Sequence, residues 1–279
     1  MTVCIACGAT APRRLAWRKN GCDILVCPSC GLGAAAASAF DPKAYYTESY
    51  FDGSAPDGYA DYVGSEAVLR AEFADIVAGL RRFAPAGRLL EIGAAYGFFL
   101  MEARAHFDVV GVEMAAAAAE FARGRGLDVR TGPATSAGLA DIGPVDAVVM
   151  LDVIEHLEDP LAVLTLAAEK LRPGGVLLVT TGDFGSLFAK ITGRHWRLMT
   201  PPQHLWYFTV CALTKLAGKV GLSPIDRAHP WKRVPVSLIA YQAARMFGHK
   251  LSAERLASLS RFGLPINLFD AMRLTFRKS

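Results

Sequence analysis

Arg88-Leu89-Leu90-Glu91-Ile92-Gly93-Ala94-Ala95-Tyr96-Gly97-Phe98-Phe99-Leu100 is an apolar β-prone run, a tight turn of small residues and the start of an apolar helix. Such a turn at the carboxyl end of a strand is where open α/β sheets bind ligands. The glycines say which ligand it is not. A dinucleotide fingerprint needs glycines at relative positions 0, 2 and 5. Counted from Gly93, those positions hold Ala95 and Phe98, and the next glycine, Gly97, is four residues on.

Charge points the same way. Glu91, just before the turn, would repel a pyrophosphate and attract a cation. Glu113 closes the next apolar run, 22 residues after Glu91. An acid at that strand end accepts the hydroxyls of a ribose. Together they suit a nucleoside that carries positive charge. S-adenosylmethionine has an ammonium, a sulfonium and a carboxylate that helix N-terminal amides can bind.

Outward from this turn, short apolar runs alternate with helical patterns. Strands are expected at 88–92, 108–113, 128–131, 145–151 and 176–181, with helices at 97–105, 115–124, 160–171 and 209–220. Pro173-Gly174-Gly175 stops one helix and Gly221 another. This alternation predicts βαβ units and a parallel sheet with helices on both faces. Upstream, Val68, Leu69, Phe73, Ile76, Val77 and Leu80 follow helical spacing. Residues 34–39 are nearly all alanine and read as a spacer, and 41–62 carry five tyrosines among Gly, Pro and Asp, a segment placed to lie over a site. The tail from 230 is mixed and apolar, with two helical stretches.

The chain has 279 residues, 52% hydrophobic and 20% charged, which is a globular balance with room for one core and a small module. A net charge of +4 gives no argument for nucleic acid or an anionic membrane. No secretory signal and no apolar run long enough to span a membrane are read, so a cytoplasmic setting is expected. There the cysteines should be reduced. Cys4-x-x-Cys7 and Cys27-x-x-Cys30, each followed by a glycine, form two knuckles suited to a structural tetrahedral Zn²⁺. About 30 residues cannot build a core alone, so the metal would supply folding free energy. Cys22 and Cys211 stand apart from any pair and are expected to be small buried hydrophobes.

The ordered set LLEIGAAYG, VVGVEM, VDAVVMLDVIEHLEDP and LRPGGVLLVTT resembles class I S-adenosylmethionine-dependent methyltransferases, over roughly residues 84–228. The resemblance implies a Rossmann-like, mostly parallel seven-stranded sheet with one antiparallel strand and a final antiparallel hairpin. It implies that Glu91, Gly93, Ala94 and Gly97 surround the methionine part and that Glu113 holds the ribose. Met114 would pack beside the adenine, the Gly132–Ala134 loop would border it, and Leu151 and Asp152 would close the pocket. Ala95 replaces the usual middle glycine, and the loop TGPAT lacks the acid often found there. The four-cysteine module is similar to that of sugar C-methyltransferases, where it helps cover the substrate cleft, but this tail is too short for their further C-terminal domain.

Methyl transfer needs alignment and, for a hydroxyl or carbon nucleophile, a base. His156, after the fourth strand, is one candidate; its other reading is a histidine that fixes its loop. His204, in HWRLMTPPQHLWYF, is the second. That segment is an ordered loop around Pro201-Pro202 and reads as a substrate wall or an aromatic core plug. Asp152, Glu155 and His156 could also face one another across a helical turn and hold a divalent ion, similar to ubiquinone-type O-methyltransferases.

The organisation expected is a zinc-ribbon-like module at 1–33, a linker and helical cover at 34–83, an S-adenosylmethionine-binding core at 84–228, and strands and helices at 229–279 completing it. The function expected is methylation, on oxygen or carbon, of a small molecule or a sugar or glycan, of the bacterial secondary-metabolite or polysaccharide type, by a monomer or homodimer. An RNA or protein methyltransferase that recognises its substrate through the ribbon, and a non-catalytic S-adenosylmethionine-binding protein, are the alternatives. Nucleic acid is disfavoured by the charge, and the segment LPINLFDAMRLTFRKS is expected to pack on the core rather than on a membrane surface.

Overall fold

The structure is a computed structural model that describes residues 3–36, 61–246 and 253–279. Of the tyrosine-rich stretch, only Asp61 and Tyr62 fall inside those residues.

The N-terminal module is an antiparallel meander, β1 (Arg14–Lys19), β2 (Cys22–Val26) and β3 (Gly33–Ala36). Asn20 (φ 49°) and Gly21 (φ 76°) turn β1 into β2. Left-handed backbone at both central positions suits a two-residue hairpin, and Asn-Gly is the pair that tolerates it. Residues 34–36 are therefore strand, not spacer: small side chains let β3 lie close to its neighbours.

Next come α1 (Glu66–Leu80), β4 (Gly87–Ile92), α2 (Phe98–Ala103), β5 (Phe107–Glu113), α3 (Ala116–Gly124), β6 (Asp128–Thr131) and β7 (Val145–Leu151). α4 (Pro160–Lys170) starts where the Asp159 side chain accepts the Ala162 N–H, with Pro160 at its first position. β8 (Leu171–Gly182) begins earlier than its apolar run, taking in Pro173-Gly174-Gly175. α5 (Leu187–Thr192), β9 (Trp206–Tyr207), α6 (Val210–Gly218) and β10 (Leu222–Ala228) follow. The chain closes with β11 (Lys232–Pro235), α7 (Val236–Met246), α8 (Ala253–Ser260), β12 (Gly263–Ile266) and β13 (Ala271–Lys278).

Seven strands form the main sheet in the order β10-β13-β8-β7-β4-β5-β6. Strands β8, β7, β4, β5 and β6 run parallel, and β13 runs antiparallel to both β8 and β10. The expected mostly parallel seven-stranded sheet with one reversed strand is present. Its side chains alternate between two apolar layers: Leu90 and Ile92 enter one, Leu89 the other. Each such fully buried aliphatic side chain contributes roughly 1.5–3 kcal/mol.

One expectation is corrected. The closing strands pair antiparallel but are no hairpin, because residues 229–270 intervene and supply β11, α7, α8 and β12. The tail segment LPINLFDAMRLTFRKS packs on the core as expected: it holds the end of β12 and all of β13, which lies between β8 and β10 with Met272, Leu274 and Phe276 buried. No helix among the described residues is long and apolar enough to cross a membrane.

Candidate active site

The strand ends β4, β5 and β7 open into a cavity of about 1470 Å³. Register places Glu91 beside Gly111 and Ile92 beside Val112, so Glu91 and Glu113 emerge on neighbouring strands at the same edge. Glu91 is 3% exposed, and its Oε2 has no hydrogen-bond partner among the described residues. Burial, reinforced by the Glu113 charge, pushes its carboxyl well above the usual range. Glu113 accepts the Ala115 N–H on Oε1 and the Ala95 N–H on Oε2, both at 2.7 Å. Burial raises its carboxyl too, against those N–H bonds.

The turn between these acids needs its glycines. Gly93 (φ 81°) and Gly97 (φ 77°) are left-handed. A Cβ on Gly93 would come within 2.4 Å of Val153 Cγ2, and one on Gly97 within 2.5 Å of Leu127 Cδ1. Ala95 is also left-handed (φ 44°), the conformation of the glycine it replaces. Ala94, Met114, the 132–134 loop, Leu151 and Asp152 line the same cavity, whereas Gly97 sits behind it at the start of α2. A buried acid with one oxygen unpartnered among the described residues, beside a second acid, suits an ammonium or sulfonium, so these residues fit S-adenosylmethionine.

His156 and His204 line the same cavity, with ring centroids 4.6 Å apart. His156 Nδ1 lies 3.1 Å from the Gln203 carbonyl, and His204 Nδ1 2.8 Å from the Leu198 carbonyl. A carbonyl only accepts, so each Nδ1 donates and each neutral ring keeps its lone pair on Nε2. Burial lowers both: His156 to about 4, partly offset by the Gln203 carbonyl, and His204 well below its ordinary value, with the neighbouring His156 adding to the effect. Both rings are neutral at pH 7. Glu155 is 4% exposed, with Oε2 unpartnered among the described residues. Burial, then the Asp152 charge, raises its carboxyl to about 8.

The cation reading of Asp152, Glu155 and His156 changes here. Asp152 lies outside the 3₁₀ turn Ile154–His156, at φ 54°. Its carboxylate accepts from Thr180 Oγ1 at 2.9 Å and pairs with Lys232 Nζ at 2.8 Å. Burial works to raise that carboxyl, but Lys232 and Thr180 outweigh it and hold it low. The donors within 4.8 Å of one another are instead Glu155, His156 and His204. Lys232, which also lies 3.4 Å from Glu72 Oε1, was not legible as a site residue: it belongs to the inserted 229–270 segment, 80 positions from Asp152.

The four cysteines converge. Cys4 Sγ–Cys30 Sγ and Cys7 Sγ–Cys27 Sγ are both 3.7 Å, and all four sulfurs lie within 4.8 Å of one another. A tetrahedral zinc with bonds of about 2.3 Å has sulfur–sulfur edges of about 3.8 Å, whereas a disulfide needs about 2.0 Å. The donor set and spacing fit Zn²⁺ and not a disulfide. At Cys27 burial opposes ionisation, but the N–H groups of Ser29 and Cys30 outweigh it and bring the thiol to about 6.

Residues 65–226 match the family model described as a methyltransferase domain. A ubiquinone biosynthesis O-methyltransferase of Cereibacter sphaeroides is 36% identical over 152 residues, 50% of this chain and 62% of that protein. One from Caulobacter vibrioides is 37% identical over 166 residues, 52% of this chain and 66% of that protein. The chain thus spans less than two thirds of these relatives. Among solved structures, magnesium protoporphyrin IX methyltransferase from Synechocystis PCC 6803 with bound S-adenosylmethionine superposes with a TM-score of 0.52 at 14% identity, covering 87% of this chain and all (100%) of that one. A possible histamine N-methyltransferase from Thermotoga maritima gives 0.51 at 20% identity, covering 77% and 91%. The sheet order, the acids at its strand ends and the match over residues 65–226 agree: the chain belongs to the methyltransferase-domain family, with the class I S-adenosylmethionine-dependent fold.

Proposed function

We propose that the chain methylates a hydroxyl of a small-molecule acceptor, with S-adenosylmethionine held at Glu91, Gly93, Ala94, Glu113, Met114 and Leu151. The observation that carries this is one cavity lined both by the buried acids Glu91 and Glu113 and by the paired rings of His156 and His204. When bound, S-adenosylmethionine supplies an electrophilic methyl on a cationic sulfur. Glu91 and Glu113 oppose its charge and hold its ribose. Nε2 of His204 or His156 takes the acceptor's proton, and the carbonyls of Leu198 and Gln203 keep that nitrogen in its basic form.

The acceptor side is walled by Leu198, Leu238, Ile239, Ile266 and Leu268. Apolar walls with polar groups at one end suit an aromatic ring bearing a hydroxyl better than a sugar or glycan. The O-methyltransferase relatives support that choice. A four-thiolate zinc site belongs to a reducing compartment, so the proposal includes a cytoplasmic location.

Calorimetry with S-adenosylmethionine, wild type against Glu113→Ala, tests the cofactor end; affinity should fall at least about tenfold, and unchanged affinity would remove Glu113 from the site. Transfer of labelled methyl to 3,4-dihydroxybenzoate, set against a nucleotide-linked deoxysugar, tests the acceptor. Methylation of the sugar alone would overturn the aromatic reading.

A further inference from the structure

His204 sits in a loop that few hydrogen bonds of its own hold. Pro201 and Pro202 have no backbone N–H to donate; within the loop His204 N–H donates to the Thr200 carbonyl at 3.0 Å, and further anchors reach it from other elements. On one side, Leu205 N–H donates to the Glu155 carbonyl at 2.9 Å. Further anchors come from the four-cysteine module. Asn20 Nδ2 donates to the Pro201 carbonyl at 2.8 Å, across 181 positions of sequence. Ala35 N–H donates to the Leu205 carbonyl at 2.9 Å. β9 joins the module's sheet as its fourth strand, with Gly33 opposite Tyr207 and Ala34 opposite Trp206. Thr209 Oγ1 donates to the Cys30 carbonyl at 2.8 Å. His204 lies between the first two of these anchors.

The close approach is specific. A Cβ on Gly33 would come within 2.9 Å of Tyr207 Cβ and 3.1 Å of Phe184 Cε1. Ile24 of β2 is fully buried among Phe184, Trp196, Met199 and Tyr207. Asn20 is the informative residue. Its left-handed turn would accept glycine equally well, but glycine has no amide to reach Pro201.

We propose that Asn20 is a positioning residue for His204, and that the four-cysteine module serves the acceptor site by holding the 200–207 loop through Asn20 and β3. This rests on the reading that His204 faces the acceptor, and its test does not depend on turnover. Asn20→Gly keeps the turn and removes the donor; Asn20→Asp keeps the turn and offers only acceptors. The probe is the ring ¹H–¹⁵N spectrum of the histidines in the full-length zinc-loaded protein, with His204 identified by its absence in His204→Gln.

In both variants the His204 ring signals should move or broaden out of the single Nδ1–H form. His106 and His229 should stay in place, S-adenosylmethionine affinity should stay within about twofold, and the zinc content should be unchanged. A merely structural hydrogen bond would cost about 2–4 °C in Tm and leave the His204 ring where it is. That result overturns the proposal, as does a shift of every histidine together with loss of S-adenosylmethionine binding. A displaced His204 ring with undiminished methyl transfer would uphold the positioning and sink His204 as the base, so the two readings fail separately.

Discussion

Glu155 shows how a buried acid couples this site to pH. Its folded carboxyl is raised to about 8, first by burial and then by the Asp152 charge. A raised folded pKa means that the native state favours the proton. The stabilising contribution is complete below the ordinary carboxylate value of 4.5 and is lost as pH rises through about 8. Glutamine has the same shape and stays neutral throughout. Glu155→Gln should therefore match the wild type in thermal unfolding near pH 5. Near pH 9, in ligand-free protein, it should exceed it by a few kcal/mol, since a tenfold change in proton affinity is worth about 1.4 kcal/mol. Equal melting curves at both pH values would show that Glu155 is ionised at little cost. Glu91 shares the burial but stands at the cofactor end, where a cationic ligand would relieve it.

The β4–turn–α2 element carries its demands in backbone shape. Gly97 is left-handed and closely packed, with Leu127 Cδ1 and Ala122 Cβ 2.5 and 2.9 Å from where a Cβ would stand. Gly97→Ala adds both strain and overlap and should cost about 2–4 kcal/mol. Ala95→Gly, at φ 44°, removes strain of about 1–2 kcal/mol against a glycine entropy cost of about 0.5–1 kcal/mol, so its Tm should hold or rise. A fall in Ala95→Gly as large as in Gly97→Ala, measured by thermal unfolding, would show that φ at position 95 carries no such strain. The element was legible in sequence because its signals are local: an apolar run, two glycines and an acid at each strand end. The knuckles were legible for the same reason. β9 was not, because two residues become a strand only through pairing with Gly33 and Ala34, far away in the chain. Nor was the direction of Asp152, which Lys232 sets from the inserted segment. Local pattern names the cofactor end, whereas the acceptor end is assembled from distant pieces.

Across the whole molecule, the cysteine module is not an appendage. Cys4, Ala6, Cys27, Cys30 and Leu32 belong to the same buried cluster as Leu90, Val148, Phe208 and Leu213, so one apolar layer runs from the knuckles into the main sheet. Lys219 Nζ adds a bond to the Ile5 carbonyl at 2.6 Å. Two groups that share a core should unfold together. A metal that binds only the folded state then stabilises all of it, not just the short segment that supplies the ligands. Differential scanning calorimetry of the zinc-loaded chain should give one transition, and removal of zinc with a chelator should shift that transition down by at least about 5 °C. Cys7→Ser, at the most accessible of the four ligands, should lower both zinc content and Tm without a new low-temperature step. Two resolved transitions, with the larger one indifferent to zinc, would mean that the module folds by itself.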